Sequence, residues 1–94
     1  MFDIRLNDRG DVVLSGRFDA AQVDKAKTVF DRLAATAVVD FKDLNYISSA
    51  GLGVLMATQK RLTDSGHKLK LKNVSGHSRD VFNIARFDLI FDIQ

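Results

Sequence analysis

The spacing of apolar residues changes several times along this chain, and each change restricts what it can fold into. Phe2, Ile4 and Leu6 alternate with Asp3, Arg5 and Asn7, and Val12, Leu14, Gly16 and Phe18 alternate with Val13, Ser15 and Arg17. Period two marks a half-buried strand. The turn residues Asn7-Asp8-Arg9-Gly10 between the two runs predict a β-hairpin. From Asp19 the spacing becomes helical, with Val23, Ala26, Phe30, Leu33 and Ala34 on one stripe. Asp19 suits an N-cap and Gln22 follows three residues later, as in a capping box, so a helix is predicted over 20–34. Residues 37–41 form a short β-rich run, read as a third strand. A second helix is predicted over 50–64, with Leu52, Leu55, Met56, Gln59 and Leu62 on one side and Gly66 as its stop. Residues 67–74 alternate Lys68-Leu69-Lys70-Leu71-Lys72, a fourth strand. Ser75 is placed to cap a third helix carrying Val81, Phe82 and Ala85. The apolar tail, 87–93, suits either a last strand or a short helix.

The predicted order is β-β-α-β-α-β-α with a tail. Strands separated by helices imply parallel neighbours joined by right-handed crossovers. The strands alternate rather than run apolar throughout, so one face of the sheet is wet. The expected class is α/β: a small mixed sheet of four or five strands, with helices packed mainly on one face. At 94 residues, the chain is read as one domain spanning 1–94.

Composition narrows the function. There is no cysteine, which excludes disulfides, thiolate catalysis and Cys-based zinc sites. The net charge is +2, and Lys68, Lys70 and Lys72 would share one strand face without aromatic partners, so no nucleic-acid partner is expected. The N-terminal MFDIRLNDRG has no signal-peptide core, and the uncharged stretch between Leu44 and Lys60 is too short and polar to span a bilayer. The expectation is a cytoplasmic protein with no direct membrane insertion. His67 and His77 have no carboxylate or serine at relay spacing and are read as loop residues, neither metal ligands nor bases. The nucleophile elbow Gly-x-Ser-x-Gly is not met, because Ile47 stands where the first glycine belongs. Gly51-Leu52-Gly53 lacks the third glycine of a dinucleotide loop, and no P-loop is present. No catalytic set emerges, and no cofactor is expected.

The run Asn45-Tyr46-Ile47-Ser48-Ser49-Ala50-Gly51-Leu52-Gly53 remains. Ser48 or Ser49 can cap the second helix. One cap does not explain two serines, nor two glycines that each cost about 1 kcal/mol relative to alanine in a helix. Small residues there leave the backbone open to a partner. Free amides and the macrodipole at a helix start also favour an anion. A phosphate on a serine at this point would add roughly −1.5 to −2 charges without remodelling the fold. It would block any partner packed on the Ser-Ala-Gly-Leu-Gly edge.

The stretch 38–55, VVDFKDLNYISSAGLGVL, resembles the signature of STAS domains, the bacterial anti-sigma-factor antagonists and their relatives. Leu14-Ser15-Gly16-Arg17-Phe18-Asp19 and the stretch 66–74 resemble further segments of the family, so the resemblance covers nearly the whole chain. It implies a STAS-like sheet packed against helices. It also implies that Ser49 accepts phosphate from an anti-sigma factor that is a serine kinase, with ATP used by that partner. A cognate phosphatase would reverse the reaction. By position, Ala50, Gly51, Leu52 and Gly53 would contact the partner, and Asp19 and Asp40 would be polar residues near or leading to the site. Ser48, the second choice as phosphoacceptor, stands where the family usually has an acid. The alternative that the resemblance carries is a STAS docking subunit of a membrane-associated transport or signalling complex, without phosphorylation and with Ser49 only a cap.

Overall fold

The structure, a computed structural model, describes residues 1–94. The hairpin is present: β1 (Phe2–Leu6) and β2 (Val12–Phe18) pair antiparallel, with Ile4 opposite Leu14. The chain continues through a 3-10 turn (Ala20–Gln22), α1 (Val23–Phe30), β3 (Ala37–Ile47), α2 (Ser49–Asp64), β4 (Leu69–Lys72) and α3 (Gly76–Ile84). A second 3-10 turn (Phe87–Leu89) and a two-residue β5 (Asp92–Ile93) follow, so the tail is both of the alternatives in succession. The five strands lie in chain order, β1-β2-β3-β4-β5, and every pair after the hairpin is parallel.

One apolar core holds the molecule together. Val12, Leu14 and Phe18 of β2, Val39, Phe41, Leu44 and Ile47 of β3, and Leu69 and Leu71 of β4 meet Ala26 and Phe30 of α1, Leu55 and Leu62 of α2, and Phe82 of α3. Strand residues of the opposite parity, among them Asp3, Arg5, Ser15, Asp40, Lys70 and Lys72, stay outside this cluster. The helices therefore cover one face of the mixed sheet, as its alternating strands required.

Three elements differ from expectation in their bounds. The first helix ends at Phe30, not 34. Arg32 and Leu33 instead bond three residues back, to Val29 and Phe30, and Arg61 of α2 donates to the carbonyls of Phe30 (2.8 Å) and Leu33 (2.7 Å). Its start also differs: Asp19 Oδ1 accepts from Ala21 N at 3.2 Å, which begins the 3-10 turn, and Gln22 makes no side-chain cap bond. No capping box forms.

The third strand is eleven residues long rather than five. Its register against β2 slips by one residue between Val13 and Ser15 and again between Gly16 and Arg17. Each slip adds a residue to β3, so Phe41, Leu44 and Ile47 all reach the core at intervals of three. The fourth strand is shorter than 67–74 and meets β3 only along Ala37–Asp40. The rest of β3's edge is left to α3, whose Phe82 meets Phe41 edge-on with ring centroids 5.5 Å apart. At the end of α2, Gly66 (φ +82°) takes the left-handed C′ position. His67 N bonds Leu62 O and Gly66 N bonds Thr63 O, a Schellman stop.

Candidate functional site

The site forms where β3 hands over to α2. Ser48 N donates to Phe18 O at 2.9 Å, which ties the handover to the end of β2. Ser48 has extended backbone (φ −90°, ψ 172°), its Oγ accepts from Gly51 N at 3.2 Å, and its carbonyl accepts from Leu52 N. It is the N-cap of α2. Ser49 is the first helical residue, is exposed, and its hydroxyl has no hydrogen-bond partner. The two serines thus divide. One is half-buried with its oxygen engaged, and the other offers a free hydroxyl at the positive end of a 16-residue helix. Ser49 is not the cap, contrary to what a docking subunit with a purely capping Ser49 would require.

The small residues divide as well. Gly51 is buried. A Cβ there would lie 2.9 Å from Ile47 Cγ1, 3.0 Å from Phe18 O and 3.1 Å from Phe18 Cγ. The expectation that Gly51 leaves an open contact edge is corrected: its lack of a side chain lets the first turn of α2 sit against the ends of β2 and β3. Leu52 is half-buried and packs on the core. Gly53 is exposed, and a Cβ at that position would meet nothing within 4 Å; Ala50 is half-buried. Ala50 and Gly53 line a groove of about 400 Å³ between α1 and α2, with Val23, Lys27, Ala57 and Arg61.

Asp19 follows Phe18 directly and lies at this end of the sheet, where it starts the 3-10 turn. Asp40 does not. It stands seven positions before Ile47, about 20 Å away at strand rise. Asp40 Oδ1 accepts from Asn73 Nδ2 and Lys42 N, each at 2.9 Å. Burial works against its charge, but these two hydrogen bonds and the positive charges of Lys72 and Lys42 hold its carboxyl below the usual carboxylate range. Its work is to fasten Asn73 (φ +59°) in the turn after β4, and the expectation of a near-site role is corrected.

Three side chains with no role expected from the sequence meet near this end of β3. Arg17 and Tyr46 are paired across β2 and β3, and the Arg17 guanidinium carbon lies 4.2 Å from the centre of the Tyr46 ring. Tyr46 stacks on His77 with centroids 4.9 Å apart and planes 26° from parallel. His77 Nε2 lies 3.3 Å from Ile47 O. His77 belongs to the first turn of α3, not to a loop as expected. Arginine, tyrosine and histidine 29 to 31 residues apart carry no local pattern; only the pairing register brings them together.

With fold and site in view, the chain is placed by comparison. It belongs to the STAS family: the family described as "Mlab, STAS domain" matches residues 3–92. Its relatives include the anti-sigma-B factor antagonist of Bacillus subtilis (strain 168), 33% identical over 96 residues, covering 98% of this chain and 88% of that protein. BtrV of Bordetella bronchiseptica, provisionally named an anti-sigma factor antagonist, is 39% identical over 74 residues and 79% of this chain. That match spans only 58% of BtrV's length. The fold is shared with solved structures at low identity. An anti-sigma factor antagonist from Mycobacterium paratuberculosis gives a TM-score of 0.81 at 18% identity, over 99% of this chain and 83% of that one. The phosphorylated form of the Bacillus cell fate determinant SpoIIAA gives 0.71 at 20%, over 100% and 91%. No helix is long and apolar enough to cross a membrane.

Proposed function

We propose that this protein is a cytoplasmic phosphoswitch, an anti-sigma-factor antagonist that binds its partner when Ser49 is unmodified and is released when Ser49 is phosphorylated. The observation that carries the reading is the division between the serines: Ser48 Oγ is committed to Gly51 N, whereas Ser49 Oγ is exposed and unengaged at the helix start. The relatives named as antagonists support the same role. The partner is an anti-sigma factor that is also a serine kinase. The γ-phosphoryl group passes from ATP on that kinase to Ser49 Oγ, ADP leaves, and the hydroxyl proton goes to the kinase. A phosphatase restores the hydroxyl. This chain supplies a substrate and a docking surface, not catalysis, and binds no cofactor itself.

Docking involves the exposed Ser49 and Gly53 and the half-buried Ala50 at the mouth of the α1–α2 groove, with the outer part of Leu52. Ser48 in place of an acid is compatible with the switch, since serine and aspartate cap helices about equally well. A dianion on Ser49 places its bulk and its hydration on this surface and excludes the partner, while the core is untouched.

The test is incubation with the partner anti-sigma factor kinase and Mg-ATP, with phosphate mapped by mass spectrometry. Phosphate at Ser49 is expected. None there, with the kinase active on another substrate, sinks the switch. The alternative reading is a docking subunit of a membrane-associated transport or signalling complex, without phosphorylation. It predicts that Ser49→Asp and Ser49→Ala bind the partner equally well, whereas the switch predicts that only Ser49→Asp loses it.

A further inference from the structure

The geometry points to a phosphate-receiving subsite built by the Arg17–Tyr46–His77 stack, which takes the phosphate carried by Ser49. This rests on Ser49 being the phosphorylated residue. The Arg17 guanidinium carbon sits over the Tyr46 ring, 4.2 Å from its centre, and Arg17 has no carboxylate within salt-bridge distance. Stacking occupies the face of a guanidinium and leaves its N–H edge free. That edge is the fork that grips phosphate oxygens in pairs. Arg17 is exposed, so its donors meet solvent in the unmodified protein.

His77 extends the stack. A carbonyl oxygen only accepts, so the 3.3 Å contact to Ile47 O means that His77 Nε2 carries a hydrogen. His77 receives a phosphate oxygen at Nδ1 only as the imidazolium, in which both ring nitrogens carry hydrogens, and the ring is exposed. The Nε2 contact pins the ring to the residue two before Ser49. Arg17 is opposite Tyr46, three residues before Ser49, and Phe18 O holds Ser48 N. At most about 11 Å of chain separates Tyr46 from Ser49, a gap that an arginine and a phosphoserine side chain can bridge between them. The neutral cap at Ser48 puts no carboxylate next to the phosphate. The charged groups on the adjoining elements are Asp19, two residues after Arg17 at the same strand end, and Arg79 and Asp80, in the same helix as His77. Lys42 and Asp43 belong to the middle of β3, further from the handover.

The subsite changes what the switch does. A phosphate drawn onto Arg17 and His77 takes with it two cationic or donor groups otherwise available to an acidic partner. Phosphorylation would then add bulk and also cancel local positive charge.

The experiment uses the full chain with phosphoserine installed at position 49 by suppression, so no kinase is needed. The probe is the 31P titration of that phosphate, compared with a phosphoserine peptide of residues 45–53. Free phosphoserine has its second ionisation near pH 6, and we expect the protein's phosphate to titrate roughly half a pH unit lower. The helix start lowers it too, so the deciding comparison is between variants. Arg17→Gln should return more than half of the displacement, and His77→Gln, which keeps a donor for Ile47 O, a smaller part. Asp19→Asn should lower the midpoint further. A second measurement needs no substitution: the Arg17 Nε–Hε signal should move and sharpen on phosphorylation of otherwise unmodified protein. A 31P titration unchanged by Arg17→Gln, together with an unmoved Arg17 signal, overturns the subsite. Failure of the kinase reaction bears on the proposed function alone, and failure of these measurements on the subsite alone.

Discussion

Ser48 and Ser49 are adjacent and chemically identical, and the first turn of α2 makes them different. Ser48 donates through its backbone to Phe18 and accepts at Oγ from Gly51. Replacing it should therefore cost stability. Ser48→Ala is expected to lose about 1 kcal/mol in denaturant unfolding, Ser48→Asp almost nothing, and Ser49→Ala should stay within a few tenths of wild type. A loss on Ser49→Ala equal to that on Ser48→Ala would reverse the assignment of the cap. The glycines separate by the same logic. Gly51→Ala pushes a methyl into Ile47 and the Phe18 backbone and should destabilise by about 1–3 kcal/mol. Gly53→Ala meets nothing and should stabilise by up to about 1 kcal/mol through helix propensity. Two glycines in one motif thus serve different ends, one a close approach inside and the other an open surface at the groove.

Among the elements, what the chain reveals of itself depends on whether the pattern is local. β1, β2 and α2 are legible because their periods run unbroken, and Gly66 marks the stop of α2 through its own backbone preference. β3 is legible only to Phe41. Beyond it, two bulges convert the period to three, which belongs to neither a strand nor a helix read alone. α1 looks longer in sequence than it is, because Leu33 fits the helical stripe, whereas the Phe30 and Leu33 carbonyls are taken by Arg61 from another element. Gln59 is the counterpart inside the core. It sits on the apolar stripe of α2, and its amide accepts from Leu69 N and donates to Ile90 O, each at 2.8 Å. Gln59→Leu should fit the space but strand both backbone groups, at a cost of about 2–3 kcal/mol in chemical denaturation. A neutral result would mean that water reaches β4's first amide.

Across the whole molecule, the two ends of β3 carry different work. The serine end is open and carries the candidate switch. The far end is fastened by Asp40, Asn73, Lys72 and Asp11, with Lys72 Nζ 3.3 Å from Asp11 Oδ2. Because Asp40's folded carboxyl titrates below its ordinary value of 3.8, its ionised form is the one the fold favours. Its contribution is present above about pH 4 and is lost as the pH falls through the lower folded value. Unfolding free energy measured from pH 5 down to pH 2 should fall more steeply for wild type than for Asp40→Asn, and the gap between them should narrow with acid. Parallel curves would show that Asp40 is not favoured as the anion. The Ser49 hydroxyl should be unaffected by Asp40→Asn, since about 20 Å of strand lies between them.

The hairpin, the alternation of strands and helices, the one-sided sheet and the serine-glycine handover all follow from the order of residues, because each rests on period, propensity or capping within a few positions. Which serine caps, that Gly51 is a packing residue, that Asp40 is remote, and that Arg17, Tyr46 and His77 form one stack emerge only in the folded molecule. Those outcomes depend on strand register and bulges, which are settled between elements when the sheet pairs and the helices close over it.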